Sequence, residues 1–286
     1  MNSSLVQDYS LHTHTIGFDG INAPIDMVLR AKELGFKSFG ISNHFIVHPE
    51  ITQSKFYPHA VLRGYDSIYS SSFDEAIAKF KPHYTELRRI SEKCDIKLYF
   101  GMEMDFFDSP DWFRGFERTV TELHPDYIIC ASHFIYYNGM LRNVYDMGSA
   151  DKKSRDDMLK IYWDKMARAG ETGLFNWMAH LDLPRKVGVG NEDCWAEYER
   201  YAIDKIASSK TAIEINTSGY DRSLTEPYPS ARILKMAAAK NVPVLLADDA
   251  HCVDKIGRHF DCAAEFAKSC GITKFLTCGN ILGKTY

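Results

Sequence analysis

Strand-like apolar runs alternate with amphipathic helical segments along all 286 residues. That alternation restricts the chain to a parallel sheet with crossover helices and excludes all-β and all-α designs. The strands read at 8–15, 37–44, 96–104, 127–134, 176–182, 211–216 and 242–251. Between them lie helical patterns at 24–34, opened by Pro24 and closed by Gly35, at 73–94, where Pro82 is expected to kink the helix, and at 111–123. Further helices are expected at 154–169 behind a Ser154 cap, at 192–208, at 230–239 and at 259–269, with a short strand at 273–277. One α/β barrel commonly runs to about 250 residues, so a single domain spanning residues 1–286 is expected.

Two stretches break the pattern. Residues 45–72, rich in aromatics such as Phe56, Tyr57, Tyr65 and Tyr69, and residues 136–150, which contain Arg142, read as irregular insertions after strands. A structureless loop of that length in a compact domain tends to be functional. A substrate lid and a packed surface excursion both fit the first of them.

The strand ends carry the chemistry. His12 and His14 stand two apart, so on a strand both imidazoles point to one face. His44, Glu103, His133, His180, Asp249 and His251 also fall at strand ends. In an α/β barrel those ends converge on one mouth. Six histidines and two carboxylates gathered there would leave many buried polar groups without partners unless cations were bound. A metal site is therefore expected.

Those residues resemble the PHP (polymerase and histidinol phosphatase) metallohydrolase family over nearly the whole chain. The motifs are His12-Thr13-His14, Asp19, Ser42-Asn43-His44, Gly101-Met102-Glu103, Ala131-Ser132-His133, Ala179-His180-Leu181-Asp182 and Asp249-Ala250-His251. The resemblance implies a distorted seven-stranded, TIM-like (β/α)7 barrel holding two or three divalent transition metals at the C-terminal ends of its strands. By motif, His12, His14, Glu103 and Asp249 would surround one ion, Glu103, His133 and His180 a second, and Asp19, His44 and His251 a third. Imidazole and carboxylate ligands suit zinc, iron or manganese and do not choose among them. Glu103 would bridge two ions, and Asp249 or His251 could relay the proton that a leaving alkoxide needs. Asn43 stands where the family often has Asp, Gly17 where Ser is frequent, and Ala247-Asp248 where Gly-Ser is frequent; no ligand is lost.

The stretch from Glu214 to Arg222, followed by Tyr228-Pro229-Ser230, looks most like the histidinol-phosphate phosphatase branch. That implies hydrolysis of histidinol phosphate, a small-molecule monoester, with Arg185 and Arg222 as candidate phosphate clamps and Arg142 next in line. Within enzymes, the alternative is a phosphoesterase acting on nucleotides, sugar phosphates or another small monoester. Outside them, it is a regulatory or scaffold protein that keeps its metals for stability. Glu214 could meet a substrate ammonium or make a structural hydrogen bond.

Composition narrows the field further. A net charge of −4 and a pI near 6.3 argue against nucleic acid as a partner, since phosphates select a basic face. The seven cysteines are scattered and form no CxxC pair, as in reduced cytosolic proteins. No leader pattern or membrane-length apolar run is seen, so a cytoplasmic protein is expected; the oligomeric state is not legible. His48, His59, His83, His124 and His259 are expected mostly at the surface, and Trp112, Trp163, Trp177 and Trp195 in the core.

Overall fold

The computed structural model describes residues 5–222 and 225–283. Its strands, in chain order, are β1 (Tyr9–Ser10), β2 (Ser38–Ile41), β3 (His44–Val47), β4 (Tyr69–Ser70), β5 (Lys97–Asp105) and β6 (Tyr127–Ala131), then β7 (Phe134–Tyr137), β8 (Met140–Asn143), β9 (Trp177–Met178), β10 (Ala212–Asn216) and β11 (Val244–Ala247). The helices are α1 (Pro24–Glu33), α2 (Tyr57–Arg63), α3 (Phe73–Ser91), α4 (Pro110–Leu123), α5 (Asp146–Ser149), α6 (Lys152–Thr172), α7 (Ala196–Ser209), α8 (Ala231–Ala239), α9 (Phe260–Ser269) and α10 (Cys278–Leu282). The main sheet is parallel, in the order β1-β2-β5-β6-β9-β10-β11.

This sheet curls into a nearly closed seven-stranded barrel because its two edges meet. Thr13 bridges Ala250 in parallel, with His14 N–H donating to the Ala250 carbonyl at 2.8 Å and Ala250 N–H to that of His12 at 3.2 Å. Lower down, the Gln7 amide does the work of a peptide. It donates to the Leu246 carbonyl and accepts from Leu246 N–H, both at 2.9 Å. An amide side chain carries the same donor and acceptor as the backbone, so the edge is satisfied without another strand residue.

Inside the barrel, Tyr9, Leu11, Tyr127, Ile129, Trp177 and Leu245 pack together, and Ile281 of α10 closes the end remote from the strand C-termini. Tyr127 stacks on Trp177 with centroids 5.2 Å apart and donates to the Leu11 carbonyl at 2.6 Å. Gly40 and Gly101 flank its ring so closely that a Cβ at either would collide with it. The outer helices bury their apolar stripes against the sheet, and all four tryptophans are buried, as expected.

Several elements differ from the sequence reading. The second strand is broken at Ser42-Asn43 into β2 and β3 because both side chains turn to the first strand: Ser42 Oγ takes Thr13 N–H and Asn43 Oδ1 takes Thr15 N–H. The first insertion is ordered as β3, α2 and β4, and the second as an antiparallel β7–β8 hairpin followed by α5. Both are structured rather than irregular. Helix α3 runs unbroken through Pro82. Helix α6 is capped by Asp151, whose side chain accepts from Ser154 N–H, so Ser154 is inside the helix. Residues 273–277 form no strand; Leu276 N–H pairs singly with the Val244 carbonyl before α10 begins. All seven cysteines are unpaired. Among the described residues no helix is long and apolar enough to cross a membrane.

The tight fit around Tyr127 yields a test. Gly101→Ala should destabilise the protein by about 1–3 kcal/mol, the usual cost of overpacking a core, read as a lower urea midpoint with an unchanged slope. An unchanged midpoint would mean that the ring can move aside.

Candidate metal centre

All nine residues anticipated as metal ligands meet at the C-terminal end of the barrel. His12 and His14 leave the first strand on one face, fully buried, with ring centroids 5.3 Å apart. Glu103, in the last third of β5, lies at the centre. Its Oε2 is 3.4 Å from His12 Nε2, 3.6 Å from His14 Nε2 and 2.7 Å from His44 Nδ1. Its Oε1 is 2.9 Å from His180 Nε2 and 3.7 Å from His133 Nε2. Asp19, from the loop after the first strand, turns Oδ2 to His44 Nε2 at 3.1 Å and His251 Nε2 at 3.0 Å. Asp249 Oδ1 is 3.1 Å from His14 Nε2.

Three groupings have ligand atoms close enough to share an ion: His14, Asp19, His44 and His251; His12, His14 and Asp249; and His44, Glu103 and His133. They overlap more than the three expected sets. His14 serves two groups, and His44 faces Asp19 with one nitrogen and Glu103 with the other. The backbone is held tightly here too, since His180 and Asp249 adopt positive φ of 21° and 49°, a region that non-glycine residues enter at a cost and that clusters at functional sites.

Cations fit this arrangement. His12 Nε2, both nitrogens of His14, His44 Nδ1, Asp19 Oδ1 and Glu103 Oε2 are buried without a hydrogen-bond partner. Several lie near an opposite charge but are misaligned for a hydrogen bond. Burial alone would favour neutral groups, yet the neighbours overrule it. Glu214, Glu103 and Asp249 hold His12 well above the ordinary imidazole range, and Asp19 and Glu103 do the same for His44. Reciprocally, burial would raise Glu103, Asp19 and Asp249, but the imidazoles hold all three carboxyls well below their usual range. His14 differs: burial and its neighbours His251 and His44 push it down to about 4. Charged imidazoles and carboxylates packed this way form the donor set that a divalent ion takes over from protons.

Partners behind the ligands fix their rings. Glu214, fully buried, pairs with His12 Nδ1 at 2.9 Å and accepts from Trp177 Nε1, His180 N–H and Asn216 Nδ2. Of its two expected roles it has the structural one. Asp105 holds His133, at 2.6 Å to Nδ1 and 2.9 Å to its backbone N–H. Sequence reading missed Asp105, although it stands two residues beyond Glu103 on β5 and so shares its face. His83 was expected at the surface but is buried in α3, where Asn43 Nδ2 meets its Nε2 at 3.0 Å. Its burial pushes it down to about 4. His59, His124 and His259 are exposed, and His48 is half-buried.

Above the cluster opens a cavity of about 510 Å³. Asp19, His44, His133, His180, Asp249 and His251 line its floor. Loops after β9, β10 and β11 bring Lys186, Arg222, Lys255 and Arg258 to its lining, and the two insertions bring Ile46, Phe56, Tyr65, Ile68, Tyr69 and Tyr145. Lys255 and Arg258 both pair with Asp221, at 2.9 and 2.8 Å. Arg222 reaches the cavity, whereas Arg185 does not. Arg185 is buried and tied to Asp182 at 3.2 Å and to the Pro227 carbonyl at 2.9 Å. Arg142 also lies outside the lining, beside Met140 Sδ.

Residues 8–218 match the PHP domain family model. This chain belongs to the PHP domain family. Relatives named probable histidinol-phosphatase occur in Deinococcus radiodurans, 25% identical over 207 residues that cover 71% of this chain and 77% of that protein, and in Schizosaccharomyces pombe, 22% identical over 265 residues that cover 87% and 81%. The fold is that of histidinol phosphate phosphatase from Lactococcus lactis, solved with zinc, L-histidinol and phosphate, at a TM-score of 0.69 and 18% identity over 96% of this chain and 98% of that one.

His83 gives an acid-stability prediction. Its folded value of about 4 lies below the ordinary 6.5, so the unfolded chain binds the proton first. The stability at stake is full above pH 6.5 and falls as pH drops toward 4, by about 3 kcal/mol in total. Subtracting the His83→Gln stability profile from that of wild type, both metal-stripped, should reveal this slope; a flat difference across the window would show that His83 is protonated in the fold.

Proposed function

We propose that this chain is a metal-dependent phosphate monoester hydrolase and that histidinol phosphate is its substrate. The observation that carries the first part is the convergence of nine ligand-type side chains, several with orphaned ligand atoms, six of them on the floor of a cavity lined also by cations. The names of the two relatives, and the ligands held by the Lactococcus structure, support the second. His12, His14, Asp19, His44, Glu103, His133, His180, Asp249 and His251 would hold two or three divalent ions, zinc, iron or manganese, with the two oxygens of Glu103 facing different imidazoles as a bridge requires. Bound there, the ions would polarise phosphoryl oxygens and acidify water at neutral pH.

The chain's own residues do the rest. A phosphate monoester is close to a dianion at neutral pH, and Arg222 is the exposed guanidinium on the cavity wall that can grip it. Lys255 and Arg258, steered by Asp221, and Lys186, resting over the Tyr145 ring at 4.8 Å, add positive field. Asp249 turns Oδ2 toward Ser218 and Asn216, 3.4 Å from each, and keeps Oδ1 among the imidazoles. A carboxyl held well below its usual range rests ionised and is a weak base, so the part it could take is a transient relay of the proton from the attacking water to the leaving alkoxide and not its storage. His251, with Nδ1 on the Asp249 carbonyl and Nε2 on Asp19, is the alternative carrier.

One observation favours other monoesters. Among the described residues, the lining outside the ligand cluster has four cations and a single carboxylate, Asp221, which Lys255 and Arg258 already share. A neutral or anionic leaving group, as in a sugar phosphate or nucleotide, meets that wall with less repulsion than a cationic one. Turnover of a substrate panel by metal-loaded protein, with histidinol phosphate beside sugar phosphates and nucleotides, decides between them. Hydrolysis of none would leave the metal-stabilised scaffold as the reading.

Two measurements follow. Elemental analysis of metal-supplemented protein should find two or three equivalents per chain, and one or fewer would sink the multinuclear reading. Arg222→Ala should cost about 1.5–3 kcal/mol in kcat/KM, as for a charged hydrogen bond, at constant metal content, with Lys restoring only part because it lacks the planar fork. Arg185→Ala, by contrast, should lower the melting temperature. If Arg222→Ala keeps wild-type kcat/KM, the clamp is formed by Lys255 and Arg258.

A further inference from the structure

Three of the four side chains in the His14, Asp19, His44 and His251 group have a sequence neighbour that meets one buried device behind the site. Asn43, just before His44, is fully buried between the first strand and α3. Its Oδ1 accepts from Thr15 N–H at 2.8 Å, and because a backbone N–H can only donate, this settles which way the amide points. Its Nδ2 then has two hydrogens to place. One goes to Thr15 Oγ1 at 2.9 Å, the other to His83 Nε2 at 3.0 Å. Thr15 follows His14 directly. His83 also packs its ring edge-on to Phe18, the residue before Asp19, with centroids 5.1 Å apart.

We propose that His83 and Asn43 are positioning residues for the ion held by His14, Asp19, His44 and His251: a neutral His83 on α3 accepts from Asn43, Asn43 staples Thr15, and the ring braces Phe18, so that three ligand-bearing segments are set from one point. The inference rests on the metal reading above. It assigns no direct contact with metal or substrate to either residue. Nε2 must offer a lone pair here, so the proton of the neutral ring sits on Nδ1; a ring carrying hydrogen on Nε2 would set donor against donor. His133 and His180 are braced separately, by Asp105 and Glu214, whereas Glu103 shares His44 with this group and donates its N–H to the Asn43 carbonyl.

Zinc titration of metal-stripped protein against a chromophoric chelator tests it. Wild type should bind in two or three steps. In Asn43→Leu and His83→Leu the steps should weaken unequally, one by roughly 10–100-fold, the usual effect of removing a group that orients a ligand, and the others less, since they share only His14 or His44 with it. His83→Gln, whose amide oxygen can still accept from Asn43, should restore most of the lost affinity. Equal weakening of every step, or of none, overturns the proposal. Nitrogen NMR of folded wild type gives a second reading that needs no variant: His83 should appear neutral with its proton on Nδ1, and a proton on Nε2 overturns the hydrogen-bond scheme. Wild type that binds no zinc while showing the expected tautomer would instead defeat the metal reading and, with it, the role assigned to the pair.

Discussion

Nine imidazoles and carboxylates are drawn into one end of the barrel with too few hydrogen-bond partners among themselves, and most of the surrounding architecture serves to hold them there. Removing such groups from water is costly unless each finds a compensating charge or hydrogen bond. The outward-facing nitrogens of His12 and His133 are compensated by Glu214 and Asp105. The inward-facing atoms are left to one another, and several are left with nothing. An arrangement satisfied from behind and unsatisfied in front is what a cation site requires. It also accounts for positive φ falling at His180 and Asp249, on the cavity floor, where side-chain direction matters more than comfortable backbone.

Barrel closure is part of the same problem. The first strand has only two residues in regular pairing with β2, since His12 and His14 must be free to turn inward while their backbone still needs partners. Side chains supply what the ladder lacks. Gln7 acts as a peptide toward β11, Ser42 takes Thr13 N–H, and Asn43 takes Thr15 N–H. The first strand is therefore sewn to both neighbours by polar side chains at the places where the site disturbs it. A break in β2–β3 that a strand pattern cannot show thus has a local cause in Ser42 and Asn43.

How much could be read from the chain follows from what each signal depends on. Strand-helix alternation and the ligands at strand ends are local patterns with a long-range meaning fixed by the barrel, so the fold and the gathering of eight of the nine residues were legible, while Asp19, in a loop, was reached only through the family resemblance. The division into ligand groups was less so, because His14 and His44 each present two nitrogens and only the folded geometry decides where each points. Asp105 and His83 were missed for opposite reasons. Asp105 carried a readable signal, two residues from Glu103, whereas His83 lies on a helix whose buried stripe accepts a histidine only because Asn43 waits behind it. The insertions read as irregular since their order comes from contacts with distant segments, such as Phe56 stacking on Tyr145 at 5.6 Å.

The two arginines show why residue type and loop position do not settle a role. Arg185 and Arg222 both follow barrel strands, both were candidates for phosphate, and their surroundings send them different ways. Arg185 lies in a short helical turn whose Asp182 and the Pro227 carbonyl capture its guanidinium, and Tyr228, 5.9 Å from it, stands in the cavity lining instead. A buried guanidinium with those partners would lose them by reaching for a ligand, and leaving a buried carboxylate unpaired costs more than a new contact returns. Arg222 has no such capture among the described residues and stays exposed at the mouth. The charge of the cavity lining is therefore set by which cations the fold has already used: Lys186, Arg222, Lys255 and Arg258 reach it from the last three barrel loops, and Arg185 does not.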